Sequence, residues 1–206
     1  ESGDSAASTS QKQNFCVALR TGTVYKTFAL GVKSGAATAE VMCKDPINTA
    51  DDFTNDTWQS PANNQSSAGT TSFNLFVYYK KVGRIFGAKA NATIWVFDPA
   101  SSAAFLEDGT GNSRSLAYTN IAQGLVHSKD DILYIPYDNK IAKNDNGSWS
   151  DTALTLPSHL YITSICESGN NLIIACAQLS GFGDSVVFVW DRDSSLATLS
   201  DSVNWG

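Results

Sequence analysis

The chain has 206 residues, 42% hydrophobic and 17% charged, with a formal net charge of −6. That suffices for one domain of ordinary size with a full core, or for two small ones. The 14 Lys and Arg form no cluster longer than Lys80-Lys81, which argues against nucleic acid or an anionic membrane surface as partner, and no apolar run is long enough to cross a bilayer as a helix.

Residues 1–13, ESGDSAASTSQKQ, are small and polar without periodicity and read as a disordered tail or linker. The chain opens on Glu1 rather than Met, as a processed or excerpted chain does. From Asn14 onward a β-branched or aromatic run, a turn signal and another run recur, which is the pattern of strands. A first unit, about 14–60, holds NFCVALR, TVYKTFAL, AEVMCKD and DTWQSP. The Ala-rich SGAATAEVMCKD is the one stretch also compatible with a helix, and the repetition of units favours a strand there. A second unit, about 72–108, holds FNLFVYY, RIFGAKA, TIWVFD and AAFLED. The third, about 120–156, holds IAQGLVHS, ILYIPY, NKIAKN and SWSDTALTL, and the fourth, about 160–204, holds LYITSICES, NLIIACAQ, SVVFVWD and LATLSDSVNW.

The units repeat in sequence. Phe97 to Asp108, FDPASSAAFLED, and Trp190 to Asp201, WDRDSSLATLSD, are identical at six of twelve positions at a constant offset of 93. Half of that offset is the length of a four-stranded propeller blade. An Asp near the third strand also recurs, at Asp45, Asp98, Asp138 and Asp191. The expected fold is all-β: a β-propeller of four-stranded antiparallel blades over 14–206, with four blades closing a small ring or forming an arc of a larger one. Blades bury both faces against their neighbours, which accounts for continuous apolar runs such as NLIIACA. An immunoglobulin-like sandwich would instead show strict alternation and a Cys–Trp–Cys framework.

Several clusters are candidates for chemistry. Asp138, Asn144, Asp145 and Asn146 offer oxygens suited to Ca²⁺, but the EF-hand pattern is missing. Asn146-Gly147 is the strongest short signal for a type I′ hairpin, with Asp145 expected to cap the turn and Trp149 to cover the next blade. The acidic stretch Asp45 to Asp56 reads as a solvated loop, and Asp191 and Asp193 as a turn after a strand. No metal or cofactor is expected. Cys16, Cys43, Cys166 and Cys176 sit inside apolar segments without metal-like spacing and read as small buried hydrophobes, with one or two disulfides as the alternative. His127 and His159 abut strands, and no G-x-S-x-G elbow accompanies them. Asn55, Asn64, Asn91 and Asn146 open N-x-S/T sequons, as many as the abundance of Ser and Thr makes expected. Trp58, Tyr78, Tyr79 and Phe182, at strand ends or in Gly-rich loops, are the candidate ligand-binding residues, able to stack on sugar rings if exposed and otherwise packing between blades.

The stretch ILYIPYDNKIAKNDNGSW resembles a blade of an Asp-box, sialidase-type propeller, whose hairpin follows S-x-D-x-G-x-T-W. Asp145, Gly147 and Trp149 fall in that order, with one residue fewer between Gly and Trp and with Asn144 near the Ser position. From Asn14 on, the chain is similar to β-propeller-like structural proteins of tailed bacteriophages, a likeness carried by FALGV, DDFTNDTW, YDNKIAKNDNGSW and ITSICESGNNLIIACA. That resemblance implies a virion or tail-associated protein of unassigned chemistry, and the first reading is a non-enzymatic structural or adhesion component, tail- or capsid-associated. Its partners would be other virion proteins or a host-surface glycan. The alternatives are a glycan-processing enzyme of Asp-box type and a secreted, extracellular binding propeller. A sialidase needs clustered arginines, whereas Arg20, Arg84, Arg114 and Arg192 are spread over the units.

Overall fold

Alternating apolar runs and turn residues close on their neighbours as hairpins, and the hairpins join into four antiparallel sheets of four strands each. This architecture comes from a computed structural model that describes residues 16–21, 24–32, 39–44, 58–59, 73–89, 92–97, 114–179 and 185–199, with backbone alone before residue 74 and at residues 89, 92, 93, 95, 97 and 114–117. The first sheet holds β1 (Cys16–Thr21), β2 (Val24–Val32), β3 (Ala39–Lys44) and β4 (Trp58–Gln59). The second holds β5 (Phe73–Tyr79), β6 (Arg84–Lys89), β7 (Ala92–Phe97) and β8 (Arg114–Tyr118). The third holds β9 (Leu125–His127), β10 (Ile132–Tyr137), β11 (Lys140–Asp145) and β12 (Ser148–Thr155), and the fourth β13 (Leu160–Ser168), β14 (Asn171–Gln178), β15 (Val186–Trp190) and β16 (Thr198–Leu199).

Within every sheet the spatial order is the chain order. The expected all-β class and four-stranded units are therefore what the chain forms, and the ambiguous Ala-rich segment supplies strand β3. Among the described residues the one helical element is a 3-10 turn at Lys80–Val82, closed by Gly83 in the left-handed region at φ 64°. The last strand of the second sheet is Arg114–Tyr118; AAFLED, assigned that place from sequence, lies outside the described residues.

An antiparallel meander sends alternate turns to opposite ends of its sheet. Turns 80–83, 128–131, 146–147, 169–170 and 191–197 thus lie at one end of their sheets, and 138–139 at the other. The first strands also run in sequence from sheet to sheet: β1 neighbours β5, β5 neighbours β9, and β9 neighbours β13.

The inner strands β10 and β11 of the third sheet are buried on both faces, alternate residues pointing to opposite sides. Leu133, Ile135 and Tyr137 pack into a cluster with Leu75, Phe86 and Ile94 of the second sheet. Tyr134 and Ile141 turn the other way, into a cluster with Leu160, Leu172, Ile174 and Trp190 of the fourth. Each such side chain, fully buried, stabilises the fold by roughly 1.5–3 kcal/mol. Pro136 is accommodated in β10 because β9 stops opposite Tyr134; at Pro136 the neighbouring chain donates the Ala122 N–H to its carbonyl at 3.1 Å.

The fourth sheet differs from the expectation of two covered faces. In β14, Leu172, Ile174 and Cys176 are buried against the third sheet while Ile173, Ala175 and Ala177 are half-exposed, so NLIIACA alternates. Its apolar outward residues are β-branched or small, types that suit a pleated surface whatever the burial; composition therefore concealed the alternation.

Between the second and third sheets a side chain stands in for backbone. The Gln123 amide accepts the Phe76 N–H at 3.1 Å and donates to the Phe76 carbonyl at 3.1 Å, as a paired strand would. The next residue, Gly124, is buried so closely that an added Cβ would stand 2.5 Å from the Tyr134 carbonyl oxygen and 3.1 Å from Leu75 Cδ1. Gly124→Ala should therefore cost about 1–3 kcal/mol through forced backbone displacement, measured as a lowered urea midpoint; an unchanged midpoint would show that this junction yields.

Candidate functional site

Of the sequence-predicted clusters, the Asp/Asn group comes first. The hairpin joining β11 to β12 has Asn146 at φ 50° and Gly147 at φ 92°, the two positive values that a type I′ turn requires. Capping falls to a different residue than expected. Asn144 Oδ1 accepts the Gly147 N–H at 2.7 Å, whereas the Asp145 carboxylate reaches across to Lys81 Nζ at 2.7 Å in the turn after β5. Asn144 can do this because its side chain is buried beneath the turn, while that of Asp145 points to solvent. Trp149 packs edge-on against Phe86 at a centroid distance of 6.1 Å, so it covers the preceding second sheet rather than the next one.

Asp138 occupies the turn between β10 and β11, at the other end of β11 from Asp145. The six residues of β11 separate the two by roughly 20 Å at about 3.3 Å per residue, so they do not converge on one cation. Asp138 is consequently no counterpart of Asp45, Asp98 and Asp191, which follow the third strands of their sheets. Asp145 holds that place, 47 residues after Asp98 and 46 before Asp191. The Asp138 carboxylate instead accepts hydrogen bonds from the Thr119 hydroxyl and from Asn120 Nδ2, the latter at 2.7 Å. Its backbone carbonyl accepts the Ile162 N–H at 2.6 Å, so this one residue links the ends of β8, β10 and β13. Among the described residues no group of three or more His, Cys, Asp or Glu is placed to hold a metal. The stretch from Asp45 to Asp56 lies outside them.

The densest polar assembly lies where the third and fourth sheets meet. His127 ends β9 and is fully buried, its Nδ1 accepting the Lys129 N–H at 3.3 Å and lying 3.5 Å from Asp130 Oδ1. Asp130 pairs with Arg192 Nη1, and Arg192 Nε donates to the Asn170 carbonyl at 2.6 Å. Glu167 accepts the Ser128 N–H at 2.8 Å and the Ser128 hydroxyl, while Lys129 Nζ donates to the Asn170 side chain. Tyr134 packs edge-on against both His127 and Trp190, with centroid distances of 6.5 and 5.8 Å.

Burial holds the His127 imidazole below its ordinary range, and the Arg192 charge pushes the same way. Burial lifts the Tyr134 phenol to about 12. The Ser128 hydroxyl and N–H hold the Glu167 carboxyl below its usual range. The imidazole here is neutral and enclosed, and the adjacent hydroxyl donates to a carboxylate rather than to it. Chemically the arrangement is a clamp between sheets. Sequence singled out His127 but not Asp130, Glu167, Asn170 or Arg192, which come from four separate turns or strand ends and share no local pattern.

The remaining expectations divide. Tyr79 is fully buried in the core between the second and third sheets, its hydroxyl accepting the Asn146 N–H at 3.0 Å, so its ring does not face a ligand at the surface. Tyr78, on the opposite face of β5, is half-buried. Trp58 begins β4 with its backbone paired to Lys44, and Phe182 lies outside the described residues. Cys176 is buried, its thiol pushed up to about 12 by burial, but Cys166 is exposed, contrary to expectation, because it pairs with Ile173 on the face of the fourth sheet turned away from the third. Both are free thiols. Asp191 forms the expected turn, accepting the N–H groups of Asp193 at 3.1 Å and Ser194 at 2.9 Å.

The clamp makes a quantitative prediction. Arg192 and Asp130 are 10% and 29% exposed, so a double-mutant cycle on Arg192→Ala and Asp130→Ala should return a coupling of about 1–3 kcal/mol. The more exposed Lys81–Asp145 pair should show a weaker coupling that salt screens away. Equal couplings in urea melts would remove the distinction.

No protein-family model matches the chain, and comparison with curated proteins returns no significant match.

Proposed function

We propose that the four sheets are blades of a β-propeller and that the protein works as a non-enzymatic scaffold, a structural or adhesion component of a tailed-phage particle. One observation carries the fold part of this reading. The first strands of successive sheets adjoin in the order β1, β5, β9, β13, as the innermost strands of blades do around an axis. Meander sheets that each follow the last in sequence add to it. The virion setting rests on the resemblance to phage structural proteins.

Scaffold work needs loops held in place, and the cross-sheet bonds at the turns supply that. Arg192 to Asp130 ties the third sheet to the fourth, and the more exposed Lys81 to Asp145 adds a weaker contact between the second and the third. Rigid turns bind a partner protein or a glycan with little ordering entropy lost. One observation favours the second reading, a glycan-processing enzyme: the Asp-box-like residues Asp145, Gly147 and Trp149 do sit at a tight hairpin between the third and fourth strands of a sheet. Asp145 is engaged with Lys81 there, which supports a structural use of that hairpin.

Purified particles should contain the protein at a fixed copy number, seen by quantitative mass spectrometry, and the isolated protein should bind host-surface glycans or virion proteins without turnover. Hydrolysis of sialylated glycans that Asp145→Asn abolishes would establish the enzyme instead, and absence from particles would remove the virion setting.

A further inference from the structure

We propose that the junction between the third and fourth sheets is an acid-sensitive latch, with the buried His127 as its trigger and the turns at 128–131, 169–170 and 191–197 as the parts it releases. The inference rests on geometry. His127 has no exposed surface, and its Nε2 is buried with no hydrogen bond of ordinary geometry, the Gly169 backbone being a polar group that faces the ring. It lies under a turn whose tip is tied to the fourth sheet by three separate contacts: Ser128 to Glu167, Lys129 to Asn170, and Asp130 to Arg192.

The groups facing the imidazole come from every element around it. Its own turn supplies the Lys129 N–H and ammonium and the Asp130 carboxylate. Strand β10 supplies the Tyr134 ring, and the fourth sheet supplies Glu167, the Gly169 backbone and the Arg192 guanidinium. A proton on Nδ1 converts an acceptor into a donor, which displaces the Lys129 N–H and turns the ring toward Asp130. That carboxylate then serves two cations, the imidazolium and Arg192, and the imidazolium itself is held away from water. Opening the turn restores water to the imidazolium.

The sign follows from linkage. A buried imidazole held below its ordinary value favours the closed junction fully above about pH 6.5, and that preference is lost as pH falls. An open-state imidazole of ordinary basicity sets the ceiling, an increase in opening of up to about 30-fold between about pH 7.5 and about pH 5.0. Glu167 is held below its usual range, so it stays ionised in this window and does not supply the response.

Amide hydrogen exchange, corrected for intrinsic rates, should show the three turns opening several-fold to about 30-fold more often at pH 5.0 than at pH 7.5, while strands β5 and β6 stay unchanged. His127→Gln should abolish the difference, whereas His159→Gln, at an exposed turn, should preserve it. An equal acid response in His127→Gln, or none in the parent protein, would overturn the latch. If His127→Gln does not fold, the parent protein decides by NMR, where only two histidines contribute ring signals. The His127 signal should titrate together with turn exchange, and titration of that ring with the turns still closed would overturn the proposal.

Discussion

Strand β10 of the third sheet has no solvent face, and the organisation around it follows from that constraint. Strand β10 directs Leu133 and Ile135 into one hydrophobic cluster and Tyr134 into another. Neither cluster survives without its neighbouring sheet, since an uncovered face would return large side chains to water. The second and fourth sheets are thereby fixed on either side of the third, and the turns at their ends are brought within reach of one another. The ion pairs and hydrogen bonds between turns are consequences of this packing, made where the cores run out and polar ends meet.

Two polar side chains are carried into this interior, and they have different uses. Asn144 spends its carbonyl oxygen on the Gly147 N–H, closing a hairpin whose two positive φ values only residues such as Asn and Gly adopt readily. His127 is enclosed beside Tyr134, its charge state governed first by burial and then by Arg192, Glu167 and Lys129. Burial raises the cost of charging the ring, so its charge state depends on the groups packed around it. Asp138 shows the opposite use of a turn carboxylate. With the Thr119 and Asn120 side chains donating to it and its carbonyl tied to Ile162, it is spent on joining three sheets.

Much of the architecture was legible in the sequence because strand and turn signals are local. Runs such as ILYIPY and LYITSI sit in strands, and Asn146-Gly147 makes the hairpin that its chemistry demands. The repeat between Phe97 and Trp190 marks equivalent positions, the last residues of the third strands of the second and fourth sheets. The Asp series misled by one turn. Asp138 and Asp145 are both Asp residues at strand ends, and only pairing partners reveal that Asp138 precedes the third strand of its sheet while Asp145 closes it. Burial was less legible than strand. Tyr78 and Tyr79 look alike in sequence, yet the period of two sends Tyr79 into the core and leaves Tyr78 half-covered.

The sequence by itself determined strand composition, most of the strand order and the chemistry of the tightest turn, since each depends on residues within a few positions of one another. Tertiary structure alone decided which turns meet. Arg192 lies 62 residues from Asp130 in the chain, Lys81 lies 64 from Asp145, and Glu167 lies 39 from Ser128. No periodicity links such residues. They meet because the apolar faces of β10 bring the second, third and fourth sheets together, and the polar contacts between turns form only once that packing is complete.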